Sequence, residues 1–198
     1  MILPWIRQRG SGLARRAAAR FRRSLPEACN AGTGLRAYRY DWEVQRMNRQ
    51  NLFFYAWDGE YEEDKTRHRI FWRPDDARMG STLYELGPNA PETAIHMHFG
   101  AEEMFFVLSG RPVIRNQHGK EELAPGDFVS CPEGRAGLHT FSNPTEEPAQ
   151  ILAISAGSFP DVVAYPEHGY AWVATRDPEL LARGGDPGII ARFEIPIE

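Results

Sequence analysis

Four side chains in one stretch of this chain could hold a metal ion together: His96, His98, Glu103 and His139. Two His one residue apart on a strand project from the same face, with their Cα atoms roughly 7 Å apart. That spacing lets both imidazoles reach one ion from one wall. Glu103 follows the turn signal Phe99-Gly100-Ala101-Glu102 and begins the apolar run Met104-Phe105-Phe106-Val107-Leu108. A return strand carrying His139 supplies a fourth donor from the opposite direction. Three imidazoles and one carboxylate suit a single divalent transition metal: Fe, Mn, Ni, Zn, Co and Cu all accept such a set.

These donors need strands to position them. Alternation puts Ala94, His96 and His98 on one face and Ile95 and Met97 on the other. With Glu103 facing inward, Phe105 and Val107 do too; with His139 inward, so are Phe141 and Asn143. Burying three His and a Glu in such apolar company is costly without a partner, and an ion removes that cost. Glu102, by alternation, points to solvent.

From Ala37 onward the chain reads as short β segments divided by turn residues. The expected strands are Tyr38–Glu43, Asn51–Trp57, Arg67–Arg73, Ser81–Leu86, Thr93–Phe99, Met104–Ser109, Pro112–Asn116, Asp127–Cys131, His139–Asn143 and Ala149–Ala156. Asn116-Gln117-His118-Gly119 reads as a hairpin tip. A short helix is expected over Pro178–Arg183, and an edge strand over Ile189–Pro196. Gly110 and Gly134 stand where the chain must turn, and a glycine there supplies positive φ cheaply. Regularly spaced short strands without an internal repeat argue for one sandwich or closed barrel.

At 198 residues and 42% hydrophobic, the chain can bury a sizeable core. Its net charge of −4 is unevenly spread. Residues 1–36 hold eight Arg against Glu27 alone, a net +7, which leaves −11 for the rest. An acidic body is a poor nucleic-acid binder, because phosphate contacts drive that affinity. We read residues 1–36 as a basic arm, poorly ordered or helical; contact with a membrane surface or acidic partner is the other reading. No stretch approaches the ~18 apolar residues of a transmembrane helix. The two cysteines, Cys29 and Cys131, form no disulfide framework, and a reducing cytoplasm is expected. Cys131 reads as a small core residue. His118 and His168 read as surface residues; Tyr84, Trp72 and Phe141 read as packing or as lining of a barrel mouth.

With these residues laid out, the chain resembles the cupin superfamily of small jelly-roll β-barrels. The first cupin motif, His-x-His, three or four residues, Glu, six residues, Gly, is matched by His96, His98, Glu103 and Gly110. The second, Gly, five residues, Pro-x-Gly, a short gap, His, three residues, Asn, is matched by Gly126, Pro132, Gly134, His139 and Asn143. Here the gap between Gly134 and His139 is four residues rather than the usual two, which lengthens one turn. Pro160 to Pro166 is similar to the segment that follows the barrel in bacterial cupins of unassigned role.

The resemblance implies an all-β jelly-roll barrel over residues 37–165, with a C-terminal extension, 166–198, packing on it. It also implies metal ligation by His96, His98, Glu103 and His139, and a homodimer that exchanges N-terminal strands within Tyr38–Trp57. Cupins span dioxygenases, isomerases, lyases, storage proteins and sensing modules, so the fold alone does not fix the activity. A metal-dependent enzyme acting on a small organic molecule is the first expectation, of dioxygenase or isomerase/lyase type. The alternative is a non-enzymatic module that binds or senses a small ligand. An enzyme should offer an inward polar group besides the four ligands; no motif identifies a dedicated general acid or base.

Overall fold

A computed structural model of the chain describes residues 49–53, 56–71, 77–175 and 188–196. The described part is an all-β jelly roll of twelve strands. In order they are β1 (Thr66–Ile70), β2 (Met79–Leu86), β3 (Met97–His98), β4 (Ala101–Ser109), β5 (Val113–Asn116) and β6 (Gly119–Glu122). There follow β7 (Phe128–Cys131), β8 (His139–Ser142), β9 (Ala149–Gly157), β10 (Asp161–Tyr165), β11 (Tyr170–Ala174) and β12 (Ile189–Glu194). Helical turns among the described residues are two short 3-10 segments, Gly134–Gly137 and Pro166–His168. No described helix is long and apolar enough to cross a membrane.

One sheet has the antiparallel order β1-β2-β9-β4-β7. The other wall is made of two smaller sheets, β12-β11-β10-β3 and β6-β5-β8. Single bridges, His96 to His139 and Ala90 to Asn143, join the segment around β3 to that around β8. The donors therefore sit on a seam held by two backbone hydrogen bonds between His96 and His139, each 3.0 Å.

Alternation drives the layering. Along β4, Ala101, Glu103, Phe105 and Val107 are buried while Glu102 is exposed. Phe105 and Val107 join Leu86, Ile114, Cys131, Phe141 and Ile151 in the barrel core. Each such side chain contributes ~1.5–3 kcal/mol by leaving water. Cys131 is a free, buried thiol. A second cluster, Val163, Tyr165, Trp172 and Ala174, packs β10 against β11.

Two motif residues are explained by the fold. Gly110 turns the chain at φ +80°, and a Cβ there would lie 2.5 Å from Ala149 Cα. Asn143, fully buried, donates through Nδ2 to the carbonyls of Leu86 (3.1 Å), Gly87 (2.9 Å) and Glu147 (2.8 Å). It thereby staples the entry of β9 to the end of β2.

The structure differs from the sequence reading in several elements. No strand forms over the described residues of the expected Asn51–Trp57, where Asn51 Oδ1 instead accepts from the Phe53 amide (2.8 Å) in a tight turn. The expected Thr93–Phe99 strand is reduced to β3, because His96 reaches β8 only through an isolated bridge. Strands β6, β10 and β11 were not expected; β10 and β11 pair with each other along their whole length. The Gln117-His118 tip joins β5 to β6 as expected, with His118 exposed, and β12 is an edge strand. The expected strand Tyr38–Glu43, the helix Pro178–Arg183, the arm 1–36, Cys29 and Trp72 lie outside the described residues.

Candidate metal centre

β3 carries His98, the bridge residue His96 precedes it, β4 supplies Glu103 and β8 opens with His139. The donor atoms of His96, His98 and Glu103 all lie within 4.8 Å of one another. His139 enters through Glu103: its Nε2 is 3.3 Å from Glu103 Oε2, as is Nε2 of His98. The His96 and His139 rings are 4.6 Å apart between centroids. His98, Glu103 and His139 are buried at 3%, 5% and 2% exposure.

Each imidazole is oriented through its other nitrogen. Nδ1 of His96 meets the Ala94 carbonyl at 3.0 Å, Nδ1 of His139 meets that of Gly137 at 2.7 Å, and Nδ1 of His98 meets Asp161 Oδ2 at 2.6 Å. An Nδ1–H donated to an oxygen leaves the Nε2 lone pair free to bind an ion, the arrangement metal-binding histidines commonly show. His96 Nε2 and His98 Nε2 are buried and have no hydrogen-bond partner among the described residues. His98 Nε2 approaches Glu103 without the alignment that a hydrogen bond requires. Buried, orphaned nitrogens aimed toward a buried carboxylate are what a divalent cation would satisfy.

The longer second-motif gap forms the 3-10 turn Gly134–Gly137. At Gly137 a Cβ would fall 1.8 Å from the Pro132 carbonyl oxygen, so only glycine allows the close approach that aims its own carbonyl at His139.

The charges fit the same picture. Burial, with the neighbouring His139 and His98 imidazoles, lowers His96 to a pKa of about 3, so its ring is neutral. Burial also opposes charge on His98, but Glu103 and the Asp161 hydrogen bond prevail and raise it to about 9. For His139 burial is likewise outweighed, by Cys131 and Glu103, and the pKa rises to about 10. Glu103, despite burial, is held well below the ordinary carboxylate range by His98 and His139. Without an ion the cluster is a proton-sharing network; a bound cation displaces those protons.

The donors open on a cavity of about 700 Å³, counting its mouth, in which His96, Glu103 and His139 form part of the wall. Tyr84 and Tyr165 also line it. Burial raises both phenols above their ordinary pKa, with the Glu103 charge adding to the rise in each, so both hydroxyls stay protonated. Tyr165 is fixed by stacking on His96 (5.5 Å) and Tyr170 (4.9 Å). Phe141 is both core and cavity wall. Glu102, His118 and His168 are exposed and stand apart from the cavity.

Asp161 is the residue the sequence reading missed. Fully buried, it accepts from His98 Nδ1 and, through Oδ1, from the Gly100 amide (2.8 Å). A lone acid opening the apolar run Val162-Val163-Ala164-Tyr165 was the available signal.

A jelly-roll barrel with a buried His-His-Glu group facing its cavity, and His139 beside it, defines a class of small β-barrel proteins with a candidate metal site. Residues 82–155 match the family model of the cupin domain, and this stretch of the chain is a cupin domain. Among solved structures it is similar to a protein of Acidithiobacillus ferrooxidans provisionally named a sugar phosphate isomerase. The two are 33% identical, the match covers 50% of this chain and 64% of that one, and the TM-score is 0.47. The chain thus spans less than two thirds of that protein. A sugar phosphate isomerase of the cupin superfamily from Silicibacter pomeroyi is 22% identical over 62% of this chain and 73% of that one, with a TM-score of 0.50. The polyketide cyclase RemF from Streptomyces resistomycificus is 26% identical over 56% of this chain and 79% of that one, with a TM-score of 0.46. No curated protein sequence matches the chain. The likeness to the Silicibacter pomeroyi protein speaks for the fold alone.

Proposed function

We propose that the chain is a metal-dependent enzyme acting on a small organic molecule, with one divalent transition metal held by His96, His98, Glu103 and His139. The observation that carries this reading is the shared orientation of the three imidazoles. All three Nδ1 atoms are engaged by oxygens, which leaves three Nε2 atoms to converge around Glu103 beside a cavity. When bound, the metal acts as a Lewis acid on a substrate oxygen and stabilises negative charge that develops there.

The protein's own part is to hold and exclude. Asp161 keeps the His98 ring turned toward the centre. The apolar wall limits water, which strengthens every charge interaction inside. Tyr84 and Tyr165 supply the inward polar groups that a purely structural metal site would not need. The reaction type is oxidative cleavage with iron, or isomerisation or elimination with another metal.

The test is a turnover screen of protein loaded with each metal in turn, following oxygen uptake for iron and substrate consumption for the others. Metal-dependent turnover lost on chelation is expected. Ligand binding without turnover across the panel would instead favour the binding or sensing module.

A further inference from the structure

Two features of the cavity wall narrow the ligand, granted the metal centre proposed above. The first is composition. Leu86, Phe105, Phe141 and Ile151 give the wall flat or branched hydrocarbon surfaces, and among the described residues the lining includes no Lys or Arg. Beyond the metal itself, a phosphate's remaining charge would meet no Lys or Arg on the described wall, which disfavours it there.

The second feature is a pair of unused donors. Thr93 and Thr66 also line the cavity, but their hydroxyls are engaged, Thr93 with Thr140 Oγ1 (2.8 Å) and Thr66 with Asp64 Oδ1 (2.6 Å). The Tyr84 and Tyr165 hydroxyls make no hydrogen bond to any described residue. Both lie close enough to Glu103 to feel its charge, and Tyr84 also feels Tyr165. Hydroxyls with no partner among the described residues, on the wall beside the donor cluster, are placed to meet an oxygen that the metal also meets.

We propose that the cavity takes a planar, aromatic molecule bearing phenolic or enolic oxygens, with Tyr84 and Tyr165 donating to those oxygens and the hydrocarbon wall covering the ring. Tyr165 is the better-fixed donor, because its ring is stacked with both His96 and Tyr170; Tyr84 is held by its place in β2.

The experiment uses the full chain loaded with Co²⁺ and the probe 4-nitrocatechol, whose visible absorption shifts on coordination. Glucose 6-phosphate is titrated in parallel by calorimetry. Saturable probe binding is expected, with glucose 6-phosphate at least ~100-fold weaker. Tyr84→Phe and Tyr165→Phe should each weaken the probe by roughly 3- to 10-fold. Co²⁺ affinity should stay within about twofold of the parent in both variants, a split that a merely structural role for the rings would not produce. Probe binding unchanged in both variants, or glucose 6-phosphate binding as tightly as the probe, overturns the inference. Co²⁺ binding without probe binding overturns it while leaving the metal centre standing. Failure of Co²⁺ to bind overturns the metal centre and this inference together.

Discussion

Two buried charge clusters sit on opposite faces of the same five-stranded sheet, and they are built in opposite ways. On the outer face, Glu85 accepts from Tyr61 Oη (2.6 Å), Arg67 Nε (2.8 Å) and Gln150 Nε2 (2.8 Å). The Arg67 guanidinium lies 4.5 Å from the Trp57 ring and 4.5 Å from the Tyr61 ring. Its charge and its carboxylate partner are both enclosed by donors and aromatic faces. On the inner face, among the described residues, Glu103 has long 3.3 Å contacts to two imidazoles, and His96 Nε2 and His98 Nε2 have no hydrogen-bond partner. A closed cluster holds the fold; an open one keeps its donors for a ligand. The difference separates a structural ion pair from a candidate site without reference to any motif.

The contrast can be broken from the inner side first. Asp161→Asn keeps an acceptor for His98 Nδ1–H but removes the charge that fixes and strengthens it. We expect metal affinity to fall roughly 10- to 100-fold with the fold intact, measured by competition against a chromophoric chelator. Equal affinity in parent and variant would mean that Asp161 serves packing alone.

Breaking the outer cluster should do the reverse. Glu85→Gln leaves a part-buried Arg67 without its carboxylate and should cost ~1–2 kcal/mol in urea unfolding at pH 7, with metal affinity unmoved. The loss should depend on pH in a definite direction. Burial works against the Glu85 charge, but hydrogen bonds from Gln150, Tyr61 and Arg67 hold its pKa below the ordinary value. Its contribution is therefore fully present above the unfolded-state pKa of ~4.3 and is lost as pH falls through the lower folded-state value. Parent and Glu85→Gln should accordingly converge in stability below about pH 4. A gap that widened in acid would contradict the assignment.

The smallest effect belongs to a pair with neither property. Arg111 Nη1 and Glu122 Oε1 are 2.7 Å apart, with side chains 61% and 54% exposed. Arg111→Ala should change stability by less than ~0.5 kcal/mol and leave metal binding untouched, which calibrates the other two variants.

How legible the molecule is in its sequence follows from the range of the interactions. His96, His98 and Glu103 were readable because strand period and turn chemistry act over a few residues, and Glu102 facing outward follows from the same rule. Asp161 was not, since its role depends on β10 pairing with β3 so that Val163 stands opposite His98, across a large sequence separation. Strands β10 and β11 are buried on both faces in part, so they show no clean alternation to recognise. The segment Asn51–Trp57 has the aromatic and branched composition of a strand, yet tertiary context places Trp57 as a lid on Arg67 instead. Tyr84 could be read only as core or mouth, because a hydroxyl's lack of a partner is invisible without its neighbours.

The most direct measurement is elemental analysis of the full chain purified without added metal, beside a His96→Ala, His139→Ala double variant. About one transition metal per chain in the parent, absent from the variant, is the predicted result, and the element found selects the assays. No metal in either sample, even after reconstitution with iron, manganese, zinc, nickel, cobalt and copper in turn, would contradict the account. The inner cluster would then be a proton-sharing core network like any other buried polar group.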